Sequence, residues 1–177
     1  MRVSDLDLIF IPATGAVSPD HWIARWSAKL STARLAPALD PRATPAALIA
    51  AVQRATRPTL LIGYSTGAIA AALAAPSLAG ADCRGAFLVA PPDDDTLTTL
   101  DGGLWPQAPR ERLPWPSVLV ASRTDPWSSH RRSLALASDW GADFVDAGES
   151  GRIDADSGHG PWPDGLLRLG GFLKKLG

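Results

Sequence analysis

Four short runs of the chain are almost continuously apolar: Leu6–Ile11 (LDLIFI), Thr59–Gly63 (TLLIG), Gly85–Ala90 (GAFLVA) and Ser117–Ser122 (SVLVAS). A strand with one wet face alternates apolar and polar residues, and these do not. They read as strands buried on both faces, which belong in a parallel sheet covered by helices on each side. Helical signals fall between them. Ser18-Pro19-Asp20 offers an N-cap and a first-turn proline ahead of Trp22, Ile23, Trp26 and Leu30 at helical spacing. Thr44-Pro45 opens a helix to about Ala55, Ala68–Ala75 is Ala-rich, and helices are also expected over Ser129–Trp140 and Leu166–Leu176. Weaker strands lie near Ala33–Pro37 and over Ala142–Val145, and 93–116 is an irregular Pro- and Trp-containing insertion, expected as a surface excursion. The pattern predicts an α/β three-layer sandwich with a mostly parallel sheet of about six strands. Sites on such sheets lie at the carboxyl ends of the strands.

The 177 residues fit one domain, 1–177, at roughly 150 residues per domain. With 46% hydrophobic and 20% charged residues the chain can bury a real core. A formal charge of −1 lacks the positive excess that nucleic acid or an anionic membrane surface requires, so neither is an expected partner. The single cysteine, Cys83, excludes an intramolecular disulfide framework, and a reducing, cytoplasmic location is the expectation. The uncharged stretch 58–80 is long enough to span a bilayer. Its small residues, its G-x-S-x-G cluster and Pro76 favour a strand, a turn and a helix instead.

That cluster is Gly63-Tyr64-Ser65-Thr66-Gly67, directly after one apolar strand and directly before the Ala-rich helix. This is the context of a nucleophile elbow. The turn is so tight that side chains two positions either side of the serine would collide, hence Gly63 and Gly67. Ser65 is thereby lifted off the sheet edge, with the Thr66 N–H placed to face a developing oxyanion. A second donor is expected from the loop after the first strand, near Thr14. A serine needs a base, and the base an orienting acid, in the chain order Ser, acid, His. Asp125, in Ser122-Arg123-Thr124-Asp125-Pro126 just past a strand, is the candidate acid; Asp93, Asp94 and Asp95 are the fallback.

Together with Ser18-Pro19-Asp20-His21-Trp22 and Ser157-Gly158-His159-Gly160-Pro161-Trp162-Pro163-Asp164-Gly165, these motifs give the chain a family likeness. It resembles the small serine hydrolases of the YdeN and retinoblastoma-binding-protein-nine type over almost its whole length. The resemblance implies an α/β-hydrolase fold with little or no cap. It also implies hydrolysis of small-molecule esters, or less often amides, with Ser65 and Asp125 in a Ser-His-Asp triad. One departure is chemical. Where the family usually carries its catalytic histidine in a Gly-His-Ile/Leu-Asn-type motif, this chain has Gly151-Arg152-Ile153-Asp154. An arginine cannot act as the base. Only His21, His130 and His159 remain. His159, in the loop after the last strand, is the expected relocated base; His21 is expected to order the first loop or line the site, and His130 to begin a helix.

Arg152 itself is either a contact for an acidic substrate or an ion-pair partner of Asp154 or Asp156. Trp105, Trp115, Trp127 and Trp162 lie in loops near the active edge, as an aromatic acyl pocket, a partner surface or plain packing. Asp154-Ala155-Asp156 resembles the opening of a calcium loop but lacks its glycine and its glutamate. No motif asks for a cofactor or a metal. The alternative to a small-ester hydrolase is a weakened or inactive hydrolase fold that binds a protein or ligand, with Arg152 marking the loss. Oligomeric state is not legible.

Overall fold

The computed structural model describes residues 1–36, 41 and 43–177. Its six strands are β1 (Asp7–Ile11), β2 (Ala33–Leu35), β3 (Thr59–Tyr64), β4 (Cys83–Val89), β5 (Ser117–Ala121) and β6 (Asp143–Asp146). They form one sheet in the order β2-β1-β3-β4-β5-β6. Every neighbouring pair is parallel. The helices are α1 (Trp22–Lys29), α2 (Ala43–Gln53), α3 (Thr66–Leu78), α4 (Asp94–Leu97), α5 (His130–Trp140) and α6 (Pro163–Lys175). This is the α/β-hydrolase architecture. The expected strand end at Pro37 lies outside the described residues.

The both-sided burial expected of the strands is present: all residues of β1, β3 and β5 are buried. Alternate residues feed two cores. Ile9, Ile11, Leu61, Leu88 and Leu119 pack with α3 and α5 on one face. Leu8, Phe10, Leu60, Ile62, Phe87 and Val120 pack with α1 and α6 on the other.

Two local expectations change. Ser18 does not cap α1; His21 does, its Nδ1 accepting from Ile23 N–H at 3.2 Å. Ser18 instead closes the preceding turn, its carbonyl accepting from His21 N–H. The segment 93–116 is not a surface excursion either. It holds α4, and Leu97, Trp105, Ala108, Leu113 and Trp115 from it are buried against the α3 core. Apolar side chains drive it inward, and Asp94 accepts the Ala108 N–H to hold the loop there.

Candidate active site

The elbow is built from backbone. Ser65 sits between β3 and α3 at φ 54°, ψ −124°, a conformation of order 1–3 kcal/mol above the ordinary basins and kept only where its surroundings over-determine it. Those surroundings are explicit. Ser65 N–H donates to Val89 O at 2.9 Å, tying the turn to β4. A Cβ on Gly63 would lie 2.8 Å from Ala68 Cα, and one on Gly67 would lie 2.1 Å from Ile11 O. Only glycine lets α3 begin this close to both strands. Thr66 is the first residue of α3, where N–H groups have no intrahelical acceptor.

The expected second donor is occupied. Thr14 N–H donates to Thr66 Oγ1 at 3.0 Å, and Thr14 Oγ1 donates to Asp101 at 2.7 Å. Thr14 therefore locks the first loop onto the elbow rather than presenting its amide to an oxyanion.

Two further loops meet at the same edge, stitched by one buried hydroxyl. Ser122 Oγ accepts from Thr124 N–H and Ser150 N–H and donates to Gly148 O. Thr124 Oγ1 accepts from Gly151 N–H at 3.0 Å. The loop after β5, carrying Asp125, is thus fixed against the loop after β6, carrying Arg152. Asp125 Oδ1 accepts from Trp127 N–H at 2.8 Å. Burial pushes its carboxyl up to about 6, against that hydrogen bond and the nearby Arg152 cation. The fallback acids are structural: Asp93 caps α4, Asp94 pairs with Arg110, and Asp95 lies 3.8 Å from Arg132.

Arg152 occupies the place a base would need. One of its guanidinium nitrogens lies 3.4 Å from Ser65 Oγ, and its central carbon lies 3.2 Å from the centroid of the Trp127 ring. Tyr64 O–H donates to its carbonyl at 3.1 Å, and Trp22 Nε1 donates to Ile153 O at 2.9 Å. The backbone turns sharply here, with positive φ at Gly151 and Ile153. Among the described residues Arg152 forms no ion pair, so the pairing with Asp154 or Asp156 is not made. With the guanidinium against it, Ser65 has no exposed surface.

The histidines stand apart from the serine in different ways. His159, half-buried, has Nδ1 3.3 Å from Ser157 Oγ, and its N–H donates to Asp154 O; the residue the structure brings to Ser65 is Arg152. His130 begins α5 and meets Phe144 edge-on. His21 lies 4.4 Å, ring to ring, from Tyr64. Burial pushes its pKa down to about 4, with Asp154 opposing and Arg152 adding to the effect. It is therefore neutral near pH 7. Because Nδ1 accepts a backbone N–H, the proton sits on Nε2.

Beside the elbow is a cavity of about 250 Å³ whose walls include Ala13, Val17, His21, Tyr64, Trp127, Arg152 and Asp156. A larger hollow, about 490 Å³, lies around Arg112, Trp115 and Lys175, where β5 begins, at the edge of the sheet away from Ser65. The smaller one is the cavity that adjoins the elbow, through Tyr64. Of the four loop tryptophans only Trp127 lines it; Trp105 and Trp115 belong to one core and Trp162 to the other. Trp162 lies 5.5 Å from Trp26 in a stack, and a Cβ on Gly165 would run into its ring. In the carboxyl-terminal motif Trp162 and Gly165 are therefore packing residues. The contact of Tyr64 with the loop after β6 had no local signal, since its partner Arg152 is 88 residues away.

With this geometry in place, comparison with known proteins decides the family. The family model described as serine hydrolase matches residues 8–170. The chain belongs to the serine hydrolase family. Among solved structures it is similar to a YdeN-like hydrolase from Pectobacterium atrosepticum, at 29% identity and a TM-score of 0.87, covering 98% of this chain and 94% of that one. The ydeN gene product of B. subtilis aligns at 17% identity and a TM-score of 0.69, over 95% of this chain and 99% of that one. An esterase domain from a Rhodothermus marinus protein aligns at 17% and 0.67, over 93% and 85%. These last two show the shared fold. Comparison with curated protein sequences finds no match. This serine hydrolase family member is a hydrolase by class, and no helix among its described residues is long and apolar enough to cross a membrane.

Proposed function

We propose that the chain hydrolyses small carboxylic esters through an acyl-enzyme on Ser65, at a rate held down by Arg152. The observation that carries this reading is the strained, glycine-enforced backbone at Ser65, which sets its hydroxyl against Arg152, one wall of a small cavity. Ser65 Oγ attacks the acyl carbon, the oxyanion is held by Thr66 N–H and by the Ala13 amide in the neighbouring loop, and the alcohol departs with the proton. Water repeats the steps and releases the acid. Asp125 is the orienting carboxylate and His159 the base, reached when the guanidinium leaves Ser65. A carboxylate titrating near 6 is itself a usable acceptor near neutral pH, which makes Asp125 the second candidate for the proton.

A second reading has its own observation. Ser65 has no exposed surface, and the group against its hydroxyl is a cation that cannot accept a proton, as expected of a hydrolase fold kept for binding. Fluorophosphonate labelling separates the two. Wild type should label slowly, Ser65→Ala not at all, and His159→Ala more slowly still. Labelling unchanged in His159→Ala but lost in Asp125→Asn moves the base to Asp125. Folded wild type that never labels, beside an Arg152→His variant that does, overturns the hydrolytic reading in favour of binding.

A further inference from the structure

Two polar groups in the wall of the cavity beside Ser65 have donors left over. The first is the Arg152 guanidinium. It lies on Trp127 and touches Ser65 Oγ, and no carboxylate of the described residues lies within ion-pair distance of it, although its charge acts on Asp125 and Asp154. A guanidinium offers five N–H donors in a rigid fork that matches a carboxylate two oxygens at a time. The second is His21 Nε2, buried and without a hydrogen-bond partner, on a side chain only 8% exposed. Its proton is fixed on that nitrogen by the Nδ1 contact with Ile23 N–H, so it is an unfilled donor. Leaving a buried donor unmet costs roughly 1–3 kcal/mol, unless something arrives to fill it. Both groups line the same 250 Å³ cavity.

We infer that Arg152 and His21 form a carboxylate-binding subsite, and that the preferred esters are half-esters of short dicarboxylic acids, which carry one free carboxylate. This rests on the hydrolytic reading and names its substrate class. The free carboxylate draws the guanidinium from Ser65 into a forked pair while His21 Nε2–H donates to it. The same movement uncovers the nucleophile, so the group that identifies the substrate also opens the site. Asp154 and Asp156 line the cavity as well, and Asp156 is exposed. Their charge sets a limit: one anionic group is accepted beside Arg152, and a dianion is repelled. The volume sits at or below the small end of ligand pockets, roughly 300–1,000 Å³, which restricts the chain to a few carbons.

The test uses the full chain with Ser65→Ala, which binds without turnover, titrated calorimetrically with monomethyl glutarate, dimethyl glutarate and glutarate. The half-ester should bind at least ten-fold tighter than either. Adding Arg152→Gln should erase that preference, and adding Arg152→Lys should keep part of it, which controls for a folding defect. Adding His21→Asn, which keeps the α1 cap, should weaken the half-ester several-fold and leave the diester unchanged. Equal binding of half-ester and diester, or a preference that survives Arg152→Gln, overturns the subsite. Hydrolysis of both esters at equal kcat/KM by the wild type would do the same while leaving the hydrolytic reading intact. An Arg152-dependent preference in a protein that never turns over supports the subsite and overturns the hydrolytic reading instead.

Discussion

The elbow at 63–67 and the loop at 151–159 serve one site and are held by different physics. In the elbow the main constraints fall on backbone: two glycines with no room for a Cβ, one strained serine whose N–H is tied to β4, and a strand on either side. In the loop the fold fixes the path through Gly151, the buried Ile153, the Tyr64 hydroxyl and the Trp22 indole, and none of these contacts involves the side chain at 152. The elbow cannot vary without losing the fold. The loop can change its chemistry and keep its shape. An arginine where a histidine is expected is therefore a change of side-chain chemistry that the structure absorbs, with Trp127 serving as a shelf for the longer side chain.

The sharpest way to break this contrast is at Gly67. A methyl group there would sit 2.1 Å from one strand carbonyl and 2.6 Å from the next, and neither can yield without opening β1 from α3. Gly67→Ala should cost about 4 kcal/mol or more, a large share of the ~5–15 kcal/mol that holds a domain together. Urea unfolding measures it, and a loss below 1 kcal/mol would show that the elbow is not sterically enforced.

Arg152→His probes the other half. It should leave the unfolding midpoint within about 1 kcal/mol of wild type, because the loop's path does not depend on this side chain. Hydrolysis of p-nitrophenyl acetate should rise by roughly 10²–10⁴, the usual worth of a positioned general base. An unchanged rate in a folded variant means that Asp125 and Ser65 are not spaced for a triad. Under the carboxylate-subsite inference the same variant gains on neutral esters and loses its preference for half-esters.

What could be read from the residues alone follows the same division. The sheet, its parallel order and Ser65 were legible because apolar runs and glycine spacing are local signals with few structural solutions. The loop after β5 that carries Asp125 was legible from the strand before it. The occupied Thr14 amide was not, because its partner hydroxyl on Thr66 is 52 residues away. Nor was the inward packing of 93–116, where tertiary burial of Trp105 and Trp115 outweighs a loop-like composition. Arg152 was legible as a departure, but its place over Trp127 and against Ser65 is set by the Ser122 hydroxyl, which joins two loops far apart in the chain. His21 carried no sign of an unfilled donor, since its tautomer depends on capping α1 in a place where Ser18 offered the better local pattern.

The smallest expected effect is one of pH, and it separates His21 from Asp125, two groups of the candidate site that burial shifts in opposite directions. His21 falls from 6.5 to about 4 on folding, so the unfolded chain binds its proton more readily than the folded one. Its contribution to stability is complete above pH 6.5 and is lost as pH falls toward 4. Asp125 moves the other way, from 3.8 up to about 6. Its charge burdens the folded state above pH 6, and that burden is relieved as pH falls toward 3.8. The two slopes oppose each other across the same interval and partly cancel in the wild type. Removing one exposes the other. His21→Asn keeps a side-chain acceptor for Ile23 N–H and deletes the titration, so its stability relative to wild type should rise as pH falls from 6.5 to 4, by on the order of 3 kcal/mol at most. Asp125→Asn should be more stable than wild type at pH 7.5 and lose that advantage by pH 4. Thermal unfolding of the three proteins across this range reads both, at about 2–4 °C per kcal/mol for a chain of this size. Parallel pH profiles for wild type and His21→Asn would show that the imidazole is hydrated enough to titrate normally, and with that the unfilled donor beside Arg152 would no longer be dry.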